Sequence, residues 1–239
     1  MRTYFGLAFL VSVLAIPSSA QDARSILAHM LATTGWNSAA TVNDAVLIGT
    51  VVYGEGGSAN LEFKTRASGE VSMVLVAGSE TSRIVATERV ASSKAGGQIR
   101  TFPADELHQR LLFLFPPFAK QLRAPEWELL AGQDEIVGDQ TCYKITFRHP
   151  GAPEDEMVLW VSKVSLLPVQ VQHYLRSRSD ASIRAAITTE LSDYREANGF
   201  ILPFLHREKF MGRVTHTVKI SSISFDTGVS DADFTLSPQ

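Results

Sequence analysis

The residue types that most often perform catalysis are present in this sequence, but their spacing assembles none of them into a recognised site. The chain contains six histidines and one cysteine. It has no G-x-S-x-G nucleophile elbow, no H-E-x-x-H zinc motif, and no phosphate-binding or calcium-binding loop. We therefore name no catalytic residue and predict that the protein is not an enzyme.

Two histidines are placed where a metal site could form. His206 and His216 lie on segments that we expect to pair as neighbouring strands, so their rings could approach each other. A structural zinc site needs four ligands and a catalytic one at least three, and no third ligand follows at a suitable spacing. We interpret both side chains as surface or partly buried imidazoles, and expect neither a metal nor another cofactor.

Cys142 is the only cysteine, which excludes an internal disulfide. It lies in the strand-like run TCYKITFR, where a small buried residue is the favoured interpretation. A reactive thiol or an intermolecular bridge is the alternative.

The most distinctive segment is apolar rather than catalytic: RLLFLFPPFAKQL, from Arg110 to Leu122. It is too short to cross a bilayer, which needs about 20 apolar residues. Pro116 and Pro117 cannot donate to a strand ladder, so a central strand is excluded as well. We predict a helix, a break at the prolines and a second short helix.

The apolar stripe of this segment wraps more than half of a helix circumference, so its side chains cannot all face one core. Either the helix is buried on most sides, or it is a lid whose surplus apolar surface lines a cavity for an apolar ligand. The second interpretation gives these candidate ligand-binding residues: Leu111, Leu112, Phe115, Phe118, Met30 and Trp127.

The N-terminus has the pattern of a cleaved signal peptide. Arg2 precedes an apolar run from Tyr4 to Ile16, and Ser18-Ser19-Ala20 supplies small residues at a cleavage site. No cysteine stands there to carry a lipid. We expect residues 1–20 to be removed and residues 21–239 to form one soluble domain.

The formal net charge of the chain is −3. Nucleic acid requires a basic face to neutralise its phosphates. We therefore expect no nucleic-acid partner.

Hydrophobic periodicity predicts a mainly β (α+β) protein. The run SILAHMLATTGW has a helical stripe that ends at Gly35. Residues 183–196 fit a helix and a strand equally well, but Asn198-Gly199 follows them and is a strong hairpin signal, so we predict a strand. The remaining runs are short and alternating. Together they predict one curved antiparallel sheet of about 11 strands that forms an incomplete barrel, with helices covering its concave side and a lid near residues 104–123.

Three features of the C-terminal half recur in a known family. They are a strand and turn before Leu167-Pro168, a DYRxxNGxxxP hairpin from Asp193 to Pro203, and the sequence DADFTL from Asp231 to Leu236. With them, residues 126–238 resemble the envelope lipoprotein-carrier and outer-membrane lipoprotein-sorting superfamily, the Lol-type half-barrels.

The resemblance implies an incomplete barrel covered by helices, whose apolar cavity accepts acyl chains of lipoproteins or other envelope lipids without a cofactor. It implies a periplasmic protein, expected to be a monomer, that contacts the envelope membrane surface. Carriers of this type tether the lid with an arginine from the early strands, for which Arg66 and Arg83 are the candidates. The double-proline segment departs from the family pattern and is typical of a distinct branch.

Two classes of function follow. The first is a periplasmic carrier or binder of a lipid-like ligand. The second is a non-catalytic envelope interaction or accessory protein that uses the same fold without a lipid cargo.

Overall fold

The computed structural model describes residues 23–37, 42–87, 90–104, 122–123, 127–149, 152–176 and 184–236. Within these ranges, one α-helix, α1, spans Ala23–Thr33. A 3₁₀ helix spans Asp231–Phe234 near the C-terminus. The strands are β1 Asp44–Tyr53, β2 Ser58–Arg66, β3 Val71–Ala77, β4 Glu80–Ala86, β5 Val90–Ala95, β6 Gln98–Pro103, β7 Glu128–Ala131, β8 Glu135–Val137, β9 Gln140–His149, β10 Ala152–Ser162, β11 Pro168–Arg176, β12 Arg184–Ala197, β13 Phe200–Phe210 and β14 Arg213–Phe225.

All of these strands belong to one antiparallel sheet of 14 strands. Its order is β6-β5-β4-β3-β2-β1-β14-β13-β12-β11-β10-β9-β7, with β8 paired to β9. The sheet is curved and stays open, which confirms the predicted mainly β incomplete barrel. The three strands beyond the predicted number are β5, β6 and β8.

One face of the sheet, here called the inner face, carries the core. In β2, for example, Ala59, Leu61, Phe63 and Thr65 are buried and alternate with more exposed residues, as expected for a strand with one buried side. The buried side chains of α1 belong to the same hydrophobic cluster, so α1 covers the inner face: Ile26, Leu27, Met30 and Leu31.

The end of α1 is fixed by a close backbone approach. Gly35 has a φ of +75°, and a Cβ atom there would lie 2.5 Å from the carbonyl oxygen of Gly199. The amide of Ile201 donates to the carbonyl of Thr34 at 2.9 Å. The predicted helix and its glycine stop are therefore confirmed, and the helix is held against the β12–β13 turn.

The ambiguous segment is a strand. β12 runs from Arg184 to Ala197 and pairs with β13 on one side and β11 on the other. Asn198 and Gly199 both have positive φ values, 52° and 82°, as a two-residue type I′ turn requires. The Asn198-Gly199 signal therefore correctly predicted a strand rather than a helix before it.

Cys142 has no exposed surface and packs with Val158 and Trp160 on the opposite, outer face. Burial raises the pKa of its thiol, which keeps the group protonated and unreactive. The predicted small buried cysteine is confirmed.

Candidate ligand-binding cleft

A cleft of about 760 Å³ opens at the end of the sheet where the β1–β2, β3–β4 and β5–β6 turns lie. Its apolar lining comes from Tyr53, Ala59, Leu75 and Ala77. The register places these residues on the inner face, since Leu75 lies opposite Leu61 and alternates with Ala77. The lining also includes Arg83, Lys94 and Leu236, which lie towards the outer face, so the cleft lies at the edge of the sheet and its apolar part adjoins the face that holds the core.

The cleft lies where the pairing of two neighbouring strands ends. β4 and β5 are paired only from Arg83↔Lys94 to Ala86↔Ala91, whereas β3 and β4 stay paired as far as Ala77↔Glu80. β5 ends at Ala95, one residue beyond this pairing, whereas β4 begins at Glu80, and the unpaired ends of both strands line the cleft.

Polar groups stand around this opening. The hydroxyl-bearing residues Ser79, Thr81 and Ser82 line it, together with the carboxylate of Glu80 and the cations of Arg83 and Lys94. An apolar inner surface with a polar rim is the usual construction of a site for a small amphipathic molecule.

Apolar surface continues along the inner face, away from the cleft. Met73, Ile84 and Phe102 are partly buried and pack against the main core cluster. Ala104 and Leu122, which flank residues 105–121, are 0% and 1% exposed and belong to that cluster. Both ends of the intervening segment are thus anchored in the core of the inner face.

Four of the six predicted ligand-binding residues fall on that segment and lie outside the described residues: Leu111, Leu112, Phe115 and Phe118. Of the other two, Met30 is completely buried on the side of α1 that faces the sheet. Trp127 is partly buried next to β7, with its ring edge-on to Phe147 at 6.3 Å and to His149 at 6.0 Å. Neither lines the cleft.

Sequence reasoning did not identify the cleft residues Tyr53, Leu75 and Ala77. The alternation of NLEFKTRA and EVSMVLVA placed Leu75 on a strand next to Leu61. It carried no signal for the end of β4–β5 pairing at Arg83 and Lys94, beside the cleft.

A polar trio next to the cleft residue Tyr53, which pairs with His216, does not have the geometry of a catalytic relay. A bulge after Glu208 sets Thr215 and His216 opposite it. The Thr215 hydroxyl lies 3.3 Å from Glu208 Oε1 and 3.2 Å from His216 Nδ1, and that same Nδ1 lies 3.7 Å from Glu208 Oε1. A Ser-His-Asp relay uses the two ring nitrogens separately, whereas here one nitrogen faces both partners.

His206 is buried on the inner face next to this trio, which corrects its interpretation as a surface or partly buried imidazole, and its ring contacts the backbone. Its Nε2 lies 3.0 Å from the carbonyl oxygen of Pro203, and burial lowers its pKa to about 4. In the part of the chain that the structure describes, no group of three histidine, cysteine or acidic residues is arranged to hold a metal ion.

The C-terminal DADF sequence is bound to the outer face of β2–β4 by three cations. Lys64 donates to Asp233 Oδ1 at 2.8 Å and Arg66 to Asp231 Oδ1 at 2.7 Å. Arg83 donates to the carbonyl of Asp233 at 2.6 Å. Arg66 and Arg83, the candidates for tethering a lid, therefore tether the 3₁₀ helix in the described part of the chain.

Replacing Asp233 by asparagine is expected to lower the free energy of unfolding at pH 7 by about 1–2 kcal/mol. The Lys64 ammonium group and the Ser230 amide hold the pKa of Asp233 down at about 2, from an ordinary value of 3.8. The stabilisation is present above pH 3.8 and is lost as the pH falls towards 2. Chemical denaturation at a series of pH values measures it.

The matched control is Asp139→Asn, in the exposed β8–β9 turn, which should leave stability unchanged. If the parent and Asp233→Asn lost stability equally between pH 4 and pH 2, the carboxylate would not be the titrating group.

No protein-family model matches the sequence, and no curated protein matches it. Among the described residues, no helix combines the length and the apolar character that a bilayer crossing requires.

Solved structures do match. One is a domain assigned to outer membrane lipoprotein sorting, from Vibrio parahaemolyticus, with 11% identity, a TM-score of 0.56, and coverage of 88% of this chain and 94% of that one. A DUF1329 family protein from Desulfovibrio piger has 13% identity, a TM-score of 0.57, and coverage of 91% and 97%.

A third match is a LolA superfamily protein from Nitrosomonas europaea, with 11% identity, a TM-score of 0.56, and coverage of 88% of this chain and 97% of that one. These likenesses extend over nearly the whole of each chain, and at such low identity they concern the fold. The resemblance seen in the sequence is confirmed at that level: this chain shares its half-barrel fold with a LolA superfamily protein and with a lipoprotein-sorting domain, from both of which its sequence has diverged widely.

Proposed function

We propose that this protein is a non-enzymatic periplasmic carrier or binder of a lipid-like ligand, whose apolar chain lies against the inner face of the sheet. The observation that carries the proposal is the 760 Å³ cleft, whose lining residues Ala59, Leu75 and Ala77 are continuous with the apolar inner face. This volume falls within the range of small-molecule sites, about 300–1,000 Å³. The fold shared with lipoprotein-sorting proteins supports the same function.

The segment near residues 104–123 is proposed as the lid of this hollow. Its flanking residues Ala104 and Leu122 are buried in the inner-face core, so the chain between them starts and ends beside the hollow. Leu111, Leu112, Phe115 and Phe118 would then supply the cover, and Arg110 and Arg123 would keep its ends in water. Residues 1–20 are proposed as the signal peptide that exports a domain of residues 21–239.

Filling the cleft should weaken ligand binding. Ala77 lines the cleft on the inner face, so Ala77→Trp should weaken the binding of a fluorescent long-chain fatty acid by about tenfold or more. Val76 is the next residue, on the outer face, and is 37% exposed. Val76→Trp adds the same side chain to the same strand outside the cleft and should change the affinity by less than about twofold.

Titration of the delipidated protein with the fluorescent fatty acid measures both variants. Equal affinities for Ala77→Trp and the parent would place the ligand elsewhere. A parent protein that binds no fatty acid, and that comes out of its native envelope with a stoichiometric protein partner but no acyl lipid, would favour the accessory function instead.

A further inference from the structure

Two cations of neighbouring strands lie directly opposite each other at the cleft. Arg83 of β4 pairs with Lys94 of β5, and both residues line the cleft on its outer side. Side chains at opposed positions of an antiparallel pair have Cβ atoms about 4.5–5.5 Å apart, and like charges there repel each other. An anion bound by both side chains would replace this repulsion with two attractive contacts.

The guanidinium group of Arg83 is oriented by its neighbours and keeps a donor unused. Its Nη2 donates to the carbonyl oxygen of Asp233 at 2.6 Å and lies 3.5 Å from the hydroxyl oxygen of Ser72. Both of these oxygens are neutral, so neither contact neutralises the charge. The Nε–H of Arg83 is buried and has no hydrogen-bond partner in the described part of the chain. Buried donors of native proteins are nearly always paired, so an unused one calls for a ligand or a water molecule.

The carboxylates of this region are bound elsewhere. Four described carboxylates lie on the β2 side of these cations, and each is close to a cation of β2: Glu62 and Asp233 lie 3.2 and 2.8 Å from Lys64, and Glu70 and Asp231 lie 3.9 and 2.7 Å from Arg66. Glu80 also lines the cleft, but it lies opposite Ala77 and therefore on the inner face. The cleft thus meets the outer face of β4 and β5 through cations.

The cleft consequently has two chemically different sides. Leu75 and Ala77 line its inner side, whereas Arg83 and Lys94 line its outer side. The hydroxyl-bearing Thr81 is two residues from Arg83 on the same strand, so it shares the outer side. Guanidinium and ammonium groups are the side chains that bind phosphate oxygens most strongly, and a hydroxyl group adds a further donor.

We infer that Arg83 and Lys94 bind a phosphate-type anionic head group, while the apolar chain of the same molecule lies on the inner side of the cleft. The ligand is then an anionic amphiphile rather than a neutral one. This inference rests on the proposed function, because it names the class of ligand that the carrier takes. A free phosphate ion has the same chemistry as the head group, and the experiment below distinguishes the two.

Titration calorimetry of the delipidated protein with three probes tests the inference. Dodecyl phosphate has the chain and the anion, dodecyl maltoside has the same chain and a neutral head, and inorganic phosphate has the anion alone. The parent should bind dodecyl phosphate about tenfold or more tightly than either of the others, because charge-assisted hydrogen bonds add to the burial of the chain. Added salt should reduce this preference, since it screens the attraction between the cations and the head group.

The informative variants are Arg83→Gln and Lys94→Gln. Each should weaken the binding of dodecyl phosphate by about fivefold or more and change the affinity for dodecyl maltoside by less than about twofold. Arg83→Gln also alters the contact with the Asp233 carbonyl, whereas Lys94→Gln leaves that contact in place and tests the charge by itself. The matched control is Lys219→Gln, which removes an exposed cation of β14 outside the cleft and should keep the parental affinity for both amphiphiles.

The outcomes separate this inference from the proposed function. Equal affinities of the parent for dodecyl phosphate and dodecyl maltoside would overturn the anion site and leave the carrier function standing. Parental binding of dodecyl phosphate by both Arg83→Gln and Lys94→Gln would overturn the site as well. Inorganic phosphate bound as tightly as dodecyl phosphate would assign the two cations to a free anion and exclude the head group. A parent that binds neither amphiphile would contradict the carrier function itself, together with the ligand class inferred from it.

Discussion

Lowering the pH from 6.5 to 4 should reduce the free energy of unfolding by about 3 kcal/mol through a single side chain, His206. The imidazole is only 5% exposed on the inner face of β13. Burial lowers its pKa to about 4 because the charged ring loses its hydration, and the nearby His216 adds a smaller effect in the same direction. The contact with the Pro203 carbonyl opposes this shift but does not cancel it.

Stability falls with pH because the unfolded state of the chain binds the proton at a higher pH than the folded state. The unfolded chain protonates His206 near its ordinary pKa of 6.5, whereas the folded chain does so only near 4. Between these values the proton favours the unfolded state, so the loss begins below pH 6.5 and is complete below pH 4. The Asp233 contribution is lost at lower pH, between 3.8 and about 2, so the two groups can be distinguished by their pH windows.

His206→Gln keeps a hydrogen-bond donor for the Pro203 carbonyl and removes the titration. Urea denaturation between pH 7 and pH 4 should show a shallower loss of stability in this variant than in the parent. His29→Gln, on the exposed face of α1, should keep the parental slope. If His206→Gln retained the full pH dependence, another group would be responsible for it.

Local pattern was sufficient for most of the architecture. Alternation predicted the long strands, the helical stripe and Gly35 predicted α1, and Asn198-Gly199 decided β12 against a helix. The strand β5 was missed because its sequence, VASSKA, has little apolar alternation, so its pairing depends on neighbours rather than on its own pattern. The strand β8, EIV, was missed because three residues are too few to show an alternating pattern.

The site was less predictable because it depends on contacts between distant residues. Arg66 meets Asp231 across 165 positions, and no local rule joins a basic strand to the DADF motif. The cleft lies where the pairing of β4 with β5 ends, and the sequence of neither strand predicts that position. Met30 is buried in the core and Trp127 packs against Phe147 and His149, so neither residue lines this cleft.

Two phenylalanine truncations should distinguish a filled core from a ligand hollow. Phe63 is 1% exposed on the inner face of β2, between Leu47 on β1 and Met73 on β3. Phe63→Ala should therefore lower the free energy of unfolding by about 3–5 kcal/mol, the cost of an unfilled cavity. It serves as the internal standard, since it removes the same atoms from a site whose burial is known.

Phe115→Ala tests the proposed lid against that standard. If Phe115 faces a hollow that the ligand fills, the empty protein already lacks contacts there, and the variant should lose distinctly less stability than Phe63→Ala. The lost apolar contact should instead weaken fatty-acid binding by about fivefold or more. Denaturant melts of the ligand-free protein and fatty-acid displacement measure the two quantities separately.

Equal core-sized losses in both variants, with no lipid bound by the parent, would contradict the carrier function, because the segment would then complete the core. A parent that binds lipid and a Phe115→Ala variant that binds it equally well would remove the lid from the site while leaving the cleft as the place of binding.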